Sequence, residues 1–261
     1  MPPPLSTSRP VVLVTGAARR IGRAIALDLA ANGHDVAVHY RSSQRDADET
    51  VAALRDAGAQ AHALAADLAD EAACDRLVPR AVERFGRLDA VVNSASTFEH
   101  DDVATFSHAA MQTHWRANTA PAVQLARALH AHVAARAARG VVVNLLDQKL
   151  WNPNPDHFSY TLSKAALQAA TVMLAQALAP ALRVCGVAPG VTLPSGPMSE
   201  AEFAAARTMT PLGHSSTPED VARAVRFFIE SPAITGTTLL VDGGQHLAAQ
   251  PRDVFYLAKK D

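Results

Sequence analysis

Short apolar runs alternate with longer amphipathic segments along most of the chain. The runs are rich in β-branched residues, as is typical of strands buried on both faces of a sheet. The segments between them carry apolar residues at helical spacing. This alternation predicts an α/β fold, with a doubly wound parallel sheet of about seven strands and helices on both faces. Strands are predicted at Val11–Val14, Val36–Tyr40, Ala61–Ala65, Ala90–Val92, Val141–Leu146, Val184–Val187 and Leu239–Val241, and helices at Ile21–Ala31, Ala47–Ala57, Glu71–Phe85, Thr119–Ala138, Tyr160–Ala179 and Pro218–Ile229.

The pattern continues without a linker or a change of composition over residues 11–247, which predicts a single domain. Residues 1–10 contain four prolines and no hydrophobic signal core, so we expect a flexible lead. Residues 193–210 are rich in Pro, Ser, Ala and Met, and we expect them to form a substrate lid. Residues 248–261 form a tail that is expected either to be disordered or to pack on a neighbouring subunit.

Composition narrows the class of protein. The 261 residues are 49% hydrophobic and 19% charged, which suits one large soluble domain. A net charge of −1 gives no electrostatic footprint for nucleic acid or an acidic membrane surface. No apolar stretch is long enough to cross a bilayer, two cysteines are too few for a disulfide framework, and the eleven histidines lack metal-ligand spacing. We therefore predict a cytoplasmic protein without a metal site.

A tyrosine and a lysine four residues apart are the first candidates for chemistry. Tyr160 and Lys164 fall in a predicted helix, so they lie on one face of it. A free phenol has a pKa of about 10, and a nearby ammonium group favours the phenolate and lowers that pKa. The pair predicts an oxidoreductase in which Tyr160 exchanges protons with the substrate.

Asp147, thirteen residues before Tyr160, indicates which bond is reduced. Enzymes that use the Tyr–Lys pair on ketones normally place a serine near this position. An ionised carboxylate about 4 Å from a developing oxyanion would oppose it by roughly 4 kcal/mol, which slows the step about a thousandfold. Reduction of a C=N bond in a nitrogen heterocycle requires a proton on nitrogen instead, and a carboxyl group can help to relay it. A protonated Asp147 could still donate to a carbonyl, so the alternative stays open.

A glycine-containing turn follows the first predicted strand and opens a helix. Its residues, 15–22, would bring backbone amides close to a pyrophosphate at the helix N-terminus. The second strand ends without the acidic residue that usually holds the ribose of NAD. Arg41 and Ser42 stand there instead and suit a 2′-phosphate, with Arg19 as a further cation. The sequence therefore predicts NADPH rather than NADH.

Other polar residues stand at predicted strand ends, where Asn and Asp ordinarily form turns. Asp67-Leu68 follows the third strand, Asn93 and its neighbours the fourth, and Pro189-Gly190 the sixth. Their order along the chain makes coincidence improbable. With the residues above they complete a series of motifs: TGAARRIG, HYRSS, NSASTF, NLLDQ, YTLSK and VDGG.

The series resembles the short-chain dehydrogenase/reductase family, and within it the pteridine reductases and dihydromonapterin/dihydrofolate reductases. The resemblance covers roughly Val11 to Leu247 and implies a Rossmann-like fold, NADPH as cofactor and a pterin or folate as substrate. The chain departs from the family at Arg20, which replaces the middle glycine of the turn, and at Ser94 and Ser96 after the fourth strand. In the pteridine reductase group the position of Arg20 is basic and that of Asp147 is aspartate.

The resemblance also implies roles for individual residues. Phe98 would stack on the pterin, with Ser96 and Arg20 touching both pterin and cofactor, and Leu193 would line the substrate side. Asn118 would hold Lys164 through water. The catalytic residues implied are Asp147, Tyr160, Lys164 and Asn118, and the cofactor-binding residues are Gly16, Arg19, Arg20, Ile21, Gly22, Tyr40, Arg41, Ser42, Asp67, Leu68, Asn93, Ala95, Ser96, Tyr160, Lys164, Pro189, Gly190 and Thr192.

The function predicted is NADPH-dependent reduction of a 7,8-dihydropterin, such as dihydromonapterin, dihydrobiopterin or dihydrofolate, to its tetrahydro form. Two alternatives remain open at this point: a carbonyl reductase of the same family acting on an acyl or sugar substrate, and a non-catalytic NADPH-binding sensor. The resemblance implies a homotetramer built through the helices at Thr119–Ala138 and Tyr160–Ala179. The tail, with Arg252 and Tyr256, could reach a neighbour's active site.

Overall fold

The computed structural model describes residues 9–195 and 198–258. The lead predicted for residues 1–10 lies outside this range apart from Arg9 and Pro10. Residues 196–197 of the predicted lid and 259–261 of the tail lie outside it as well.

One parallel sheet organises the described chain, and its order is β3-β2-β1-β4-β5-β6-β7. Every neighbouring pair runs parallel. The doubly wound α/β prediction is confirmed, and each of the seven predicted strands is present. The strands are β1 Val11–Val14, β2 Asp35–Tyr40, β3 Ala61–Ala65, β4 Ala90–Asn93, β5 Gly140–Leu145, β6 Leu182–Pro189 and β7 Thr238–Val241.

Each predicted helix is present but differs in detail, and the helices at His108–His114, Glu200–Thr208 and Val254–Leu257 were not predicted. The predicted helix Glu71–Phe85 is two helices that meet at Arg76. The predicted helix Thr119–Ala138 starts at Ala120, after a π-helical turn at Trp115–Thr119. The helices are α1 Arg20–Ala31, α2 Gln44–Asp56, α3 Glu71–Asp75, α4 Leu77–Phe85, α5 His108–His114, α6 Ala120–Ala135, α7 Phe158–Ala177, α8 Glu200–Thr208, α9 Pro218–Glu230 and α10 Val254–Leu257.

Alternate residues of each central strand supply two hydrophobic cores, as the two-residue period of a strand requires. Val12 and Val14 of β1 pack in the core that includes residues of α1 and α9. Val11 and Leu13 pack in the opposite core, which includes residues of α4 and α6. Because both faces are covered, the strands are mainly apolar rather than alternating between apolar and polar residues.

The strand order reverses beside β1, which lies between β2 and β4. In an open parallel sheet, the crevice beyond the carboxyl ends of strands at such a point is where ligands bind. The loops after β1, β2, β4, β5 and β6 all open at this edge. None of the helices in the described ranges is long and apolar enough to cross a membrane.

Candidate active site

The turn between β1 and α1 is packed too closely for any side chain larger than that of glycine at two positions. Gly16 has φ +65°, and a Cβ there would lie 3.0 Å from the backbone of Ala95. A Cβ on Gly22 would lie 2.4 Å from the carbonyl oxygen of Gly16. Arg20 also has a positive φ, of 56°, at the position where the family turn has its middle glycine. The turn therefore retains the glycine-like backbone that brings amides to a pyrophosphate, and its residues fit a dinucleotide.

Two residues that the sequence analysis did not single out hold this turn. The Thr15 hydroxyl accepts hydrogen bonds from the backbone amides of Ser94 and Ala95, at 2.9 and 3.0 Å. The buried ring of His39 accepts from the Gly16 amide through Nδ1 at 3.1 Å and donates through Nε2 to the carbonyl oxygen of Ala66, also at 3.1 Å. Burial lowers the pKa of His39 to about 4, so the ring is neutral and keeps one acceptor and one donor.

The loop after β2 lies beside an open cavity of about 660 Å³ whose wall includes Arg41, Asp67 and Arg116. Arg41 and Ser42 are exposed, and Leu68 is buried. Tyr40 is partly buried against the core. Arg41, predicted to contact the 2′-phosphate, and Asp67, predicted to contact the adenine, thus line one opening.

The residues after β4 and β6 frame the other half of the predicted cofactor site. A Cβ on Gly190 would lie 2.6 Å from the Ser215 hydroxyl oxygen, so this turn also requires glycine. The Thr192 hydroxyl bonds to the Ser216 hydroxyl at 2.7 Å. The Asn93 side chain donates to Asn144 Oδ1 at 2.8 Å, which joins β4 to β5 below the site. Asn93 therefore uses a side-chain donor inside the protein, and its predicted contact with the cofactor stays a prediction.

Asp147 and Tyr160 form the centre of the site. The Tyr160 hydroxyl donates to Asp147 Oδ2 at 2.8 Å, and the backbone amide of Lys149 donates to Asp147 Oδ1 at the same distance. Asp147 lines a cavity of about 330 Å³, whereas Tyr160 is only 6% exposed behind it. The thirteen-residue spacing therefore does bring the carboxylate and the phenol together.

The lowered pKa that was expected for Tyr160 beside Lys164 is not found. Burial raises the pKa of Tyr160 well above its usual value, and the charge of Asp147 raises it further. Lys164 Nζ lies 5.7 Å from the centre of the phenol ring and donates instead to the carbonyl oxygen of Leu145 at 2.7 Å. The neutral phenol is favoured because it donates to a carboxylate, and a phenolate could not.

Burial also shifts the pKa values of Asp147 and Lys164. Burial raises the pKa of Asp147, although the hydrogen bonds from Lys149 and Tyr160 partly offset this. Burial lowers the pKa of Lys164 to about 8. All three groups therefore favour their uncharged forms more than they would in water. Such shifts are common where protons are transferred.

Asn118 lies in the π-helical turn between α5 and α6. Its Oδ1 accepts from the Thr97 amide at 2.7 Å, and its Nδ2 donates to the carbonyl oxygen of Thr97 and to the Ser163 hydroxyl, both at 3.0 Å. Ser96 Oγ donates to the same Oδ1 at 3.2 Å. Asn118 thus ties the loop after β4 to helix α7, which carries Tyr160. Its predicted link to Lys164 through water stays a prediction.

The cavity that Asp147 lines also contains Phe98, the aromatic residue predicted to stack on the substrate. Phe98 is 42% exposed, so it is not a core residue, and its ring lines the cavity. One face stacks on His157 at 4.1 Å between ring centres, and the Tyr160 ring meets Phe98 edge-on at 4.6 Å. Arg20 and Leu193 line the same cavity, and the Arg20 guanidinium donates to the carbonyl oxygen of Pro194 at 2.8 Å. Arg20 therefore links the cofactor turn to the predicted lid.

Two further features of the site were not predicted. Asp101 accepts from the amide and the hydroxyl of Ser159, at 2.9 and 2.5 Å, and so holds the start of α7 one residue before Tyr160. The second is the tail: Asp253 and Tyr256 line the cavity of their own chain. The expectation that the tail is disordered is therefore wrong for its described residues, because Val254 packs on Ala206 of helix α8 in the predicted lid. Its contact with a neighbouring subunit stays a prediction.

Comparisons with known proteins agree with this geometry. The family model described as Enoyl-(Acyl carrier protein) reductase matches residues 16–246. A protein named ketoacyl reductase 2 of the granaticin polyketide synthase, from Streptomyces violaceoruber, is 38% identical over 91% of this chain and 96% of its own length. The chain belongs to the short-chain dehydrogenase/reductase family, and it is an oxidoreductase of that type, as predicted.

Two solved structures are also similar over nearly the whole chain. FolM alternative dihydrofolate reductase 1 from Brucella suis, in complex with NADP, has a TM-score of 0.89 and 40% identity, covering 93% of this chain and 97% of its own. The corresponding protein from Brucella canis, also complexed with NADP, has a TM-score of 0.86 and 40% identity, covering 92% and 96%.

Proposed function

We propose that this chain uses NADPH to reduce the C=N bond of a 7,8-dihydropterin or dihydrofolate to its tetrahydro form. The observation that carries the proposal is the hydrogen bond from Tyr160 to Asp147 at the wall of the cavity. It places an acidic pair, rather than the neutral serine suited to ketones, where the substrate would bind.

The residues of the pair divide the work of proton transfer. The cofactor supplies a hydride to carbon, and the adjacent ring nitrogen must then gain one proton. Asp147 lines the cavity and contacts the substrate nitrogen, while Tyr160 behind it holds a proton on the Asp147 side. Because the pKa of Asp147 is raised by burial, the carboxyl group can hold that proton closer to neutral pH than a free aspartate could. Asp147 and Tyr160 therefore act as one coupled acid.

The choice of NADPH rests on the loop after β2. Arg41 lines the cavity beside Asp67, and no acidic residue stands at the end of β2 to bind a free ribose hydroxyl. A guanidinium can contact a 2′-phosphate with two parallel hydrogen bonds. The NADP-bound neighbours support the same cofactor for this chain.

Phe98 supports a flat ring as substrate. Its exposed face is available to an aromatic heterocycle, since the other face is covered by His157. Offset stacking of this kind suits an electron-poor ring such as a pterin. The names of the two solved neighbours, both alternative dihydrofolate reductases, support the same substrate class.

Carbonyl reduction is the second candidate, since the curated relative from Streptomyces is named a ketoacyl reductase. The two candidates differ in what Asp147 does. Where Asp147 is ionised, its charge opposes an oxyanion by roughly 4 kcal/mol at about 4 Å and slows reduction of a ketone, whereas a protonated Asp147 supplies the proton that a C=N bond requires. Replacing Asp147 by serine would relieve that repulsion for a ketone and would remove the proton donor for a C=N bond.

The test is NADPH oxidation by the native chain and by Asp147→Ser, with dihydrobiopterin, dihydromonapterin, dihydrofolate and simple keto esters as substrates. We expect kcat/KM of the native chain to be highest with a dihydropterin or dihydrofolate, and Asp147→Ser to lower it by about a hundredfold or more. A preference of the native chain for keto esters, with little loss in Asp147→Ser, would favour the carbonyl reductase instead.

A further inference from the structure

The residues that end the described chain fold back over the substrate cavity. We call residues 252–257 the C-terminal strap. On its inner side, α10 packs through Val254 against Ala206 of the lid helix α8. Asp253 and Tyr256 line the same cavity as Asp147. The strap is therefore part of the cavity wall of its own chain.

Charged contacts fix the strap to the loop after β5. The Lys149 side chain is 3% exposed, and its ammonium lies 3.2 Å from Asp253 Oδ2. Arg252 Nε donates to both oxygens of Asp156, at 2.8 and 3.0 Å, and the Asp253 amide donates to Asp156 Oδ2 at 2.7 Å. Asp156 itself is buried. A buried network of charges is stable only where its hydrogen bonds are satisfied. The hydrogen bonds of this network hold the Asp253 side chain in one orientation.

Aromatic contacts support the outer end of the strap. The Arg252 guanidinium lies over the Tyr256 ring at 4.5 Å, and the Tyr256 ring meets His100 at 5.5 Å. His100 in turn meets His157, which stacks on Phe98. The strap is thus continuous with the platform on which a flat substrate would stack.

Asp253 adds a second carboxylate to the wall of the cavity that Asp147 lines. Burial is the main cause that raises the pKa of Asp147 and of Tyr160, and the charge of Asp253 raises both further. Two of its hydrogen-bond positions are filled by Lys149 Nζ and by the Phe255 amide. A ligand that enters the cavity displaces water from the remaining acceptor positions of Asp253. A carboxylate that loses its water must accept hydrogen bonds from the ligand instead.

A substrate rich in N–H donors would supply those hydrogen bonds, and a simple ketone would not. We propose that the C-terminal strap completes the substrate site of its own subunit and that Asp253 is a specificity-determining residue, which binds N–H donors on the substrate heterocycle. This inference rests on the proposed function, because it takes the substrate to be a pterin or folate.

Asp253→Asn tests the proposal in the full chain. Asparagine keeps the oxygen that caps α10 and loses the charge. Asp75→Asn is the matched control, because Asp75 pairs with Arg127 at 3.0 Å on an exposed surface remote from the cavity. Two measurements are made: KM and kcat with dihydrobiopterin at saturating NADPH, and binding of biopterin to the NADP-loaded protein, followed by quenching of biopterin fluorescence.

In Asp253→Asn we expect KM for dihydrobiopterin and the Kd for biopterin to rise about tenfold or more, as for loss of a hydrogen bond to a charged group. The change in kcat should be smaller, and the Kd of NADPH should stay within about twofold of the native value. Asp75→Asn should match the native chain in every measurement. A second variant, Arg252→Ala, loosens the strap without touching the cavity carboxylates and should also raise KM.

The outcomes separate this inference from the proposed function. If the native chain reduces dihydrobiopterin and Asp253→Asn behaves like Asp75→Asn, the role of Asp253 is overturned and the proposed function stands. If the native chain binds biopterin without reducing dihydrobiopterin, and Asp253→Asn weakens that binding, the strap inference stands and the proposed function fails. If the native chain neither binds nor reduces a pterin, both fail.

Discussion

At the scale of single residues, the sequence predicted which groups meet but not the directions of their pKa shifts. The spacing of Asp147, Tyr160 and Lys164 placed all three at one site because two of them share a helix face and the third ends a strand. The direction of the Tyr160 pKa could not be read from that spacing. It depends on burial and on the hydroxyl donating to Asp147, both of which arise only in the folded protein.

Tyr160→Phe tests the coupled acid at this scale. The change removes the hydroxyl that donates to Asp147, so the source of the proton is lost and kcat should fall by about a hundredfold or more. The hydrogen bond from Tyr160 lowers the pKa of Asp147, so the variant should raise that pKa further above its usual value. The alkaline limb of the residual activity, where Asp147 loses its proton, should therefore lie at higher pH than in the native enzyme, as measured by the pH dependence of kcat/KM. An unshifted limb would contradict the coupling.

Arg41→Ala tests the cofactor prediction. Loss of the guanidinium should raise KM for NADPH by about tenfold or more and leave KM for NADH nearly unchanged, since only NADPH carries the 2′-phosphate. Arg45→Ala is the matched control, because Arg45 is an exposed arginine on the adjoining helix that pairs with Glu49. The ratio of kcat/KM for the two cofactors is the measurement. Equal ratios in Arg41→Ala and the native chain would remove Arg41 from the cofactor site.

At the scale of elements, strands were predicted closely because each is a short and mainly apolar run. The lid helix Glu200–Thr208 was missed, although a signal for it is present. Ser199 and Glu202 form a reciprocal capping box, the Ser-x-x-Glu pattern that marks a helix start. The π-helical turn around Asn118 has no such local signal. Asn118 contacts Thr97 and Ser163, residues remote in sequence, so the turn depends on tertiary structure.

The contact that anchors the start of α7 allows a prediction about the stability of this helix. Asp101→Ala removes the acceptor for the Ser159 amide and hydroxyl, which are buried and would be left without a partner. We expect the free energy of unfolding to fall by roughly 1–3 kcal/mol, measured by urea denaturation. Asp102→Ala is the comparison, because the Asp102 side chain accepts from Thr105 in an exposed loop. Equal losses in the two variants would show that Asp101 does not anchor the helix.

At the scale of the whole molecule, the loop and tail contacts lay beyond prediction. Lys149 and Asp253 are far apart in the sequence, and nothing in either segment indicates that they pair. The sheet, by contrast, brings the carboxyl ends of its strands together by rule, and so the cofactor site was predictable from strand ends alone. The described tail packs on its own chain through contacts that have no repeating pattern.

Acid stability is a property of the whole fold that His39 should influence. The folded protein keeps His39 neutral with a pKa of about 4, while in the unfolded chain the group protonates near its usual 6.5. Its contribution is therefore complete above pH 6.5 and is lost as the pH falls towards 4, by roughly 2 kcal/mol between pH 7 and pH 5.

His39→Gln provides the measurement for that contribution. Glutamine can accept from Gly16 and donate to Ala66 but does not titrate. The free energy of unfolding of the variant should therefore fall less than that of the native protein between pH 7 and pH 5. Urea denaturation at the two pH values gives the difference. Identical losses in both proteins would show that protonation of His39 does not weaken the fold.

Assembly is the last property of the whole molecule, and the proposed homotetramer can be argued from α7. Leu162 and Met173 stand eleven residues apart, which is close to three helical turns, so they share a face. Both are exposed, Met173 at 66%. Large apolar groups on one face are typical of an interface between subunits. We expect sedimentation analysis to show a tetramer that the double substitution Leu162→Glu and Met173→Glu reduces to smaller species. Val103→Glu, at an exposed valine outside this face, should leave assembly unchanged. A native monomer would refute the proposal.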